Sequence, residues 1–186
     1  MAEIGMIGAG SWGTALSWLL SNNGHHVTVW SIMPAEIEML NTYHEHRDKL
    51  PGVKLQDDMV FTTDLEKTCR NKDMLVLAVP SPFTRSTSHS MKDYVADGQV
   101  IVSVAKGIEE KTLYTLSMII KEEIPQSRAV VLSGPSHAEE VGNGMPTAIV
   151  AGCEDLSLAS EVQNIFMSDV FRVYTSDDVC GIQLGA

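Results

Sequence analysis

The hexamer Gly8-Ala9-Gly10-Ser11-Trp12-Gly13 constrains this chain more than any other feature, because the apolar run Ile4 to Ile7 leads into it and the helical pattern Thr14 to Leu20 leads out. A strand that reverses through three glycines straight into a helix is the opening of a parallel α/β unit. In such a turn the first glycine makes a tight reversal, the second lets the backbone approach a pyrophosphate, and the third allows close packing of helix on strand. The first N–H groups of the helix have no intrahelical partner and are free for phosphate. Gly8 to Gly13 therefore reads as a dinucleotide-binding turn. The hexamer alone also suits an ordinary flexible turn, so the remaining sequence must decide between them.

A length of 186 residues is enough for one sizeable α/β core and too short for that core plus a substantial second domain, so residues 1–186 are expected to form one domain. Hydrophobic residues at 44% and charged residues at 20% fit a soluble globule. No segment approaches the roughly 18 unbroken apolar residues of a membrane span. The N-terminus starts directly on a strand carrying Glu3, without the basic region and cleavage site of a signal peptide. Cys69, Cys153 and Cys180 are odd in number and far apart, which favours reduced, structural thiols and a cytoplasmic setting. A net charge of −11 argues against a nucleic-acid surface. Any anionic small substrate must then be held by a few local donors.

Strand patterns are expected at Glu3 to Gly8, His26 to Trp30, Met59 to Thr62, Met74 to Val79, Val100 to Val104, Ala129 to Ser133 and Thr147 to Ala151. Helix-compatible spacing occupies Thr14 to Asn23, Ala35 to Leu40, Phe83 to Tyr94, Thr112 to Glu123 and Leu156 to Met167. Alternation of this kind predicts an α/β fold with a doubly wound, mostly parallel sheet of Rossmann type. Met74 to Val79 and Val100 to Val104 lack polar alternation, as central strands covered on both faces do. Asn41 to Asp58, with Pro51-Gly52 at its middle, is expected to be loop and short helical turns. Its His44-x-His46 pair has no third ligand nearby and is read as solvated, with no metal assigned.

Ligands of open parallel sheets bind outside the carboxyl ends of the strands. The fourth strand is followed by Pro80-Ser81-Pro82-Phe83, which sets Phe83 either near a nucleotide crevice or in the core. Ala105-Lys106-Gly107 follows the fifth, making Lys106 a candidate donor to an anion or a carbonyl oxygen. After the sixth comes Ser133-Gly134-Pro135-Ser136-His137-Ala138-Glu139-Glu140. There Ser136 and Glu139 have the spacing of a capping box, while the glycine turn and exposed N–H groups also suit a phosphate or a nicotinamide. The second strand ends without the acid that selects NAD or the arginine that accommodates NADP: Trp30 is followed by Ser31, Ile32, Met33 and Pro34, and Glu36 already lies in the next helical pattern. The cofactor is accordingly written NAD(P)H.

Taken in order, Gly8-Ala9-Gly10-Ser11-Trp12-Gly13-Thr14-Ala15, Leu50-Pro51-Gly52-Val53-Lys54-Leu55, Ala78-Val79-Pro80-Ser81, Lys106-Gly107-Ile108-Glu109, Ser133 to Val141, Pro146-Thr147-Ala148 and Phe171-Arg172-Val173-Tyr174 span essentially the whole chain. This series resembles NAD(P)-dependent sn-glycerol-3-phosphate dehydrogenase of the bacterial type. The resemblance implies reversible reduction of dihydroxyacetone phosphate to sn-glycerol 3-phosphate, for glycerophospholipid synthesis. It further implies cofactor contacts at Ser11, Trp12, Phe83, Lys106 and Ala138, and substrate contacts at Lys106, Gly134 and Ser136. A homodimeric parent enzyme is among the arrangements it allows.

Two departures accompany the resemblance. Members commonly carry a basic residue just after the second strand, and Ser31-Ile32-Met33 supplies none. The family's general acid/base lysine follows a run of the type Gln/Glu-Leu-Gly-Gly-Ala-Leu-Lys-Asn, whereas this sequence stops at Gln183-Leu184-Gly185-Ala186. The expectation is a cofactor-binding part without that lysine or the family's helical C-terminal domain, with weak or no turnover. Another Rossmann-type ketone or hydroxy-acid reductase, and a noncatalytic dinucleotide sensor, stay open as alternatives.

Overall fold

The computed structural model describes residues 1–185. Strand β1 (Glu3–Ile7) enters α1 (Ser11–Asn22) through the glycine turn, and β2 (His26–Trp30), α2 (Pro34–Tyr43), β3 (Val60–Thr62) and α3 (Leu65–Cys69) follow. Next come β4 (Met74–Leu77), α4 (Thr84–Met91), β5 (Val100–Ser103), α5 (Leu116–Glu123), β6 (Arg128–Ser133) and α6 (Ala138–Gly142). The chain continues through β7 (Thr147–Gly152), α7 (Leu156–Phe166), β8 (Phe171–Ser176) and α8 (Val179–Leu184). All strands join one sheet in the order β3-β2-β1-β4-β5-β6-β7-β8. Strands β1 to β6 are mutually parallel, β7 pairs antiparallel with β6, and β8 pairs parallel with β7. This is the doubly wound, mostly parallel sheet expected from the alternation.

The two-residue period of a strand explains why the central strands carry no polar alternation. Met74 and Val76 of β4 join Val100 and Val102 of β5 in a core shared with Leu16, Leu19 and Leu20 of α1 and Phe166 of α7. Leu75 and Leu77 turn the other way and pack with Ile101, Cys69 of α3, Met91 of α4 and Ile120 of α5. Either face is hydrophobic because each is covered by helices.

Several elements differ from expectation, for local reasons. Strand β8 alternates buried Phe171 and Val173 with exposed Arg172 and Tyr174, a half-buried pattern outside the expected strands. Helix α3 is too short to show periodicity; the Asp64 side chain caps it by accepting from the Lys67 N–H at 3.0 Å. The helix expected from Thr112 starts instead at Leu116. Thr112 Oγ donates to Glu109 at 2.5 Å and accepts from the Tyr114 N–H at 3.2 Å, and Leu113 takes a φ of 60°. Such local hydroxyl bonds compete with helix formation. Phe83 to Tyr94 divides into a 3-10 turn over Ser81–Phe83, α4, and a second turn over Lys92–Tyr94.

The irregular segment after α2 is anchored rather than free, with Leu50, Val53 and Leu55 in the core. His46 is only 1% exposed, which corrects its reading as a solvated side chain. No helix among the described residues is long and apolar enough to cross a membrane. The three thiols are free, but only Cys69 is fully buried; Cys180 is exposed, so a structural role does not extend to it.

Candidate functional site

The glycine turn is built from two kinds of constraint. Gly8 has a φ of 118°, and a Cβ there would stand 2.8 Å from the Ala78 carbonyl oxygen. A Cβ on Gly13 would drive into the carbonyl of Gly8. Packing of the chain on itself thus dictates both residues. A Cβ on Gly10 would meet nothing within 4 Å among the described residues, so that side of its backbone faces open space. That space continues into a cleft of about 640 Å³ at the carboxyl ends of β1, β4, β5 and β6. Its walls are Gly10 to Trp12, Ala78 to Ser81, Val104 to Lys106, and Ser136 to Glu139.

Folding gathers at the carboxyl ends of the central strands residues that lie more than a hundred positions apart in sequence. Lys106 Nζ donates to the Gly134 carbonyl at 3.0 Å, and Ser136 Oγ donates to the same oxygen at 3.3 Å. The structure therefore brings together Lys106, Gly134 and Ser136, with Ser11, Trp12 and Ala138 in the walls of the same cleft. Ser136 does not close a capping box. Helix α6 starts one residue later than that spacing requires, with His137 at its N-cap position and no side-chain cap bond. Phe83 stands on the turn beside the cleft, outside its walls, and at 59% exposure it is not a core residue.

Lys106 projects from a loop that is fastened at its far end. Arg85 on α4 grips Glu109 with Nε to Oε1 at 2.7 Å and Nη2 to Oε2 at 2.8 Å. Its Nη1 also donates to Glu122 at 2.8 Å and Glu123 at 2.7 Å, both on α5. The Arg85 guanidinium, followed by the Thr112 hydroxyl, pulls the Glu109 carboxyl down to about 2. Bidentate arginine pairs of this kind fix direction as well as distance. Nothing in the sequence spacing of Arg85 connects it with Glu109. The signal available was Glu109 itself, a carboxylate three residues beyond Lys106. His137 and Glu139 were likewise assigned no cofactor or substrate role, yet they stand in the cleft wall.

Whether these residues suit a dinucleotide can be tested on the turn itself. The first turn of α1 carries no acidic side chain to repel a pyrophosphate, and Gly10 leaves the helix N-terminus uncovered. The residues fit. A sheet whose strand order reverses between β1 and β4, with a glycine turn opening onto that switch point, defines the Rossmann-type dinucleotide-binding class. Residues 3–159 match the family described as NAD-dependent glycerol-3-phosphate dehydrogenase N-terminus. The chain belongs to that family.

Curated relatives agree with the assignment. Glycerol-3-phosphate dehydrogenase [NAD(P)+] of Agathobacter rectalis is 60% identical over 185 residues, covering 100% of this chain and 55% of the relative. The protein of the same name from Fusobacterium nucleatum is 49% identical over 187 residues, covering 100% of this chain and 56% of its own length. The crystal structure of glycerol-3-phosphate dehydrogenase from Coxiella burnetii superposes with a TM-score of 0.93 at 27% identity, over 98% of this chain and 56% of that one. The chain thus spans about half the length of the curated relatives it matches.

Proposed function

We propose that residues 1–186 are the cofactor-binding domain of a cytoplasmic glycerol-3-phosphate dehydrogenase, which interconverts dihydroxyacetone phosphate and sn-glycerol 3-phosphate with NAD(P)H and supplies glycerophospholipid synthesis. The observation that carries the reading is the convergence of Lys106 and Ser136 on the Gly134 carbonyl, inside a cleft that begins at the N-terminus of α1. The bound nicotinamide supplies or accepts the hydride. Gly8 to Gly13 hold the pyrophosphate against the unpaired N–H groups of α1, with Ser11, Trp12, Ala138 and Phe83 as further cofactor contacts.

Lys106 is the residue proposed to touch both cofactor and substrate. Its ammonium leaves the Gly134 carbonyl to donate to the ketone oxygen, where negative charge develops as hydride arrives. Gly134 and Ser136 hold the substrate beside it. Replacing Lys106 by Met is expected to lower kcat/KM of the full native reading frame by about 10²-fold or more while leaving the protein folded.

Residues 1–186 contain no lysine matching the family's general acid/base motif, and the last of them, Ala186, lies outside the described residues. Without a general acid, roughly 10²- to 10⁴-fold of rate is lost. Residues 1–186 expressed alone are therefore expected to bind NADH and to turn over weakly or not at all. Fluorescence titration with NADH and a dihydroxyacetone phosphate reduction assay, run on this piece and on the full native reading frame, test both halves. Absence of dinucleotide binding by well-folded protein would overturn the reading.

A further inference from the structure

The end of β2 lacks both residues that ordinarily decide between NADH and NADPH, yet the structure builds a carboxylate site there. Trp30, the last residue of β2, accepts the Gly8 N–H at 2.9 Å, so the next residue, Ser31, stands directly beside the glycine turn. Ser31 Oγ donates to Glu36 Oε2 at 2.5 Å and accepts from the Met33 N–H at 3.1 Å. The other carboxylate oxygen, Oε1, is bound by Lys49 Nζ. His46 is buried beneath the pair; its Nδ1 accepts from the Lys49 N–H at 3.3 Å, so the proton is assigned to Nε2. That Nε2 lies 3.8 Å from Glu36 Oε1 and has no hydrogen-bond partner among the described residues. Two donors, one at the end of β2 and one in the segment after α2, thus hold one carboxylate, and a buried ring nitrogen lies beside it.

We propose that Glu36, held by Ser31 and Lys49 beside the buried His46, takes the place of the missing acid at the end of β2 and makes this domain selective for NADH over NADPH. The inference rests on the dinucleotide reading given above. A carboxylate offers about four lone-pair positions, and the two donors Ser31 and Lys49 leave acceptor capacity for a ribose hydroxyl. A ribose phosphate would instead bring two negative charges against an ionised carboxylate. Lys49 does not reverse that balance, because its ammonium is already bound to Glu36, and Arg47 lies over the Tyr43 ring, 3.4 Å from its centre. The positions where a phosphate-binding arginine would stand are Ile32 and Met33, apolar side chains that are 74% and 53% exposed. In the sequence Glu36 falls inside a helical pattern; only the fold of the segment carrying His46 and Lys49 reveals what surrounds it.

Titration of the protein with NADH and NADPH, read by cofactor fluorescence, tests the inference. The native protein is expected to bind NADH about tenfold or more tightly than NADPH, a gap of about 1.4 kcal/mol or more. Glu36→Gln keeps an acceptor for Ser31 and removes the charge, and is expected to close the gap to within about threefold by tightening NADPH. Because that variant also weakens the bond from Lys49 to α2, the native protein is measured at rising ionic strength as well. Screening of a repulsive carboxylate narrows the gap, whereas a cationic phosphate site loses NADPH affinity with salt. Equal affinities in the native protein overturn the selectivity and leave the dinucleotide reading standing. Selective loss of NADPH binding in Lys49→Met assigns a phosphate site to Lys49 and likewise overturns it. Failure of both cofactors to bind overturns the dinucleotide reading itself.

Discussion

A Cβ at position 13 meets the Gly8 carbonyl, while a Cβ at position 10 meets nothing within 4 Å. The two glycines of one turn should therefore respond differently to alanine. Gly13→Ala is expected to cost about 3 kcal/mol in urea denaturation, since backbone must move to admit the methyl group. Gly10→Ala, at the N-cap of α1 with a φ of −65°, should cost less than about 1 kcal/mol and weaken NADH binding about tenfold or more. Equal stability losses at both positions would show that the hexamer is structural only. The thiols make a second contrast. Burial pushes Cys69 up to about 12, whereas Cys180 is exposed on α8. Iodoacetamide at pH 8 should label Cys180 in the folded protein and spare Cys69 until denaturant is added, as mass spectrometry of the two peptides will read.

Between elements, Arg85 joins α4, α5 and the loop that carries Lys106. Glu109 has a folded pKa of about 2, well below its ordinary value, so the stability it contributes is fully present above about pH 4.5 and is lost as pH falls toward 2. Glu123 is shifted in the same direction, first by Arg85 and then by His89. Arg85→Met should lower the melting temperature at pH 7, and the difference from the native protein should shrink as pH falls through that window. A difference independent of pH would mean that Arg85 acts through packing of its aliphatic stem alone. The same variant should raise hydrogen exchange across the loop from Lys106 to Thr115, because the latch is what ties that loop down.

For the molecule as a whole, the sheet is clamped between two helical layers, and the layer containing α1 and α7 is also stitched end to end. Asn23 Nδ2, just past α1, donates to the carbonyls of Ile165, Phe166 and Met167 at 3.1 to 3.3 Å. Phe166, fully buried beneath that stitch, holds α7 on the core. Phe166→Ala should cost about 3–5 kcal/mol in chemical denaturation, with the transition midpoint falling and its slope unchanged. A loss below about 1 kcal/mol would show that α7 repacks freely.

Period and punctuation made most of the architecture legible. The apolar runs of β4 and β5, the Gly8 to Gly13 turn and the strand-helix alternation are local signals, and they were sufficient for a doubly wound parallel sheet. Elements with short or half-polar patterns escaped: α3 offers five residues, and β8 buries only alternate side chains. Lys106, Gly134 and Ser136 were identifiable singly because strand ends are where such sheets bind ligands. Their meeting at one carbonyl oxygen was not, since β5 and β6 must first lie side by side. The Arg85 latch and the Ser31, Glu36, His46 and Lys49 cluster were illegible for the same reason. The sequence determined which backbone elements form, because hydrophobic period and glycine geometry act within a few residues. Which charges meet followed from packing alone, because an ion pair depends on distances that no local pattern encodes.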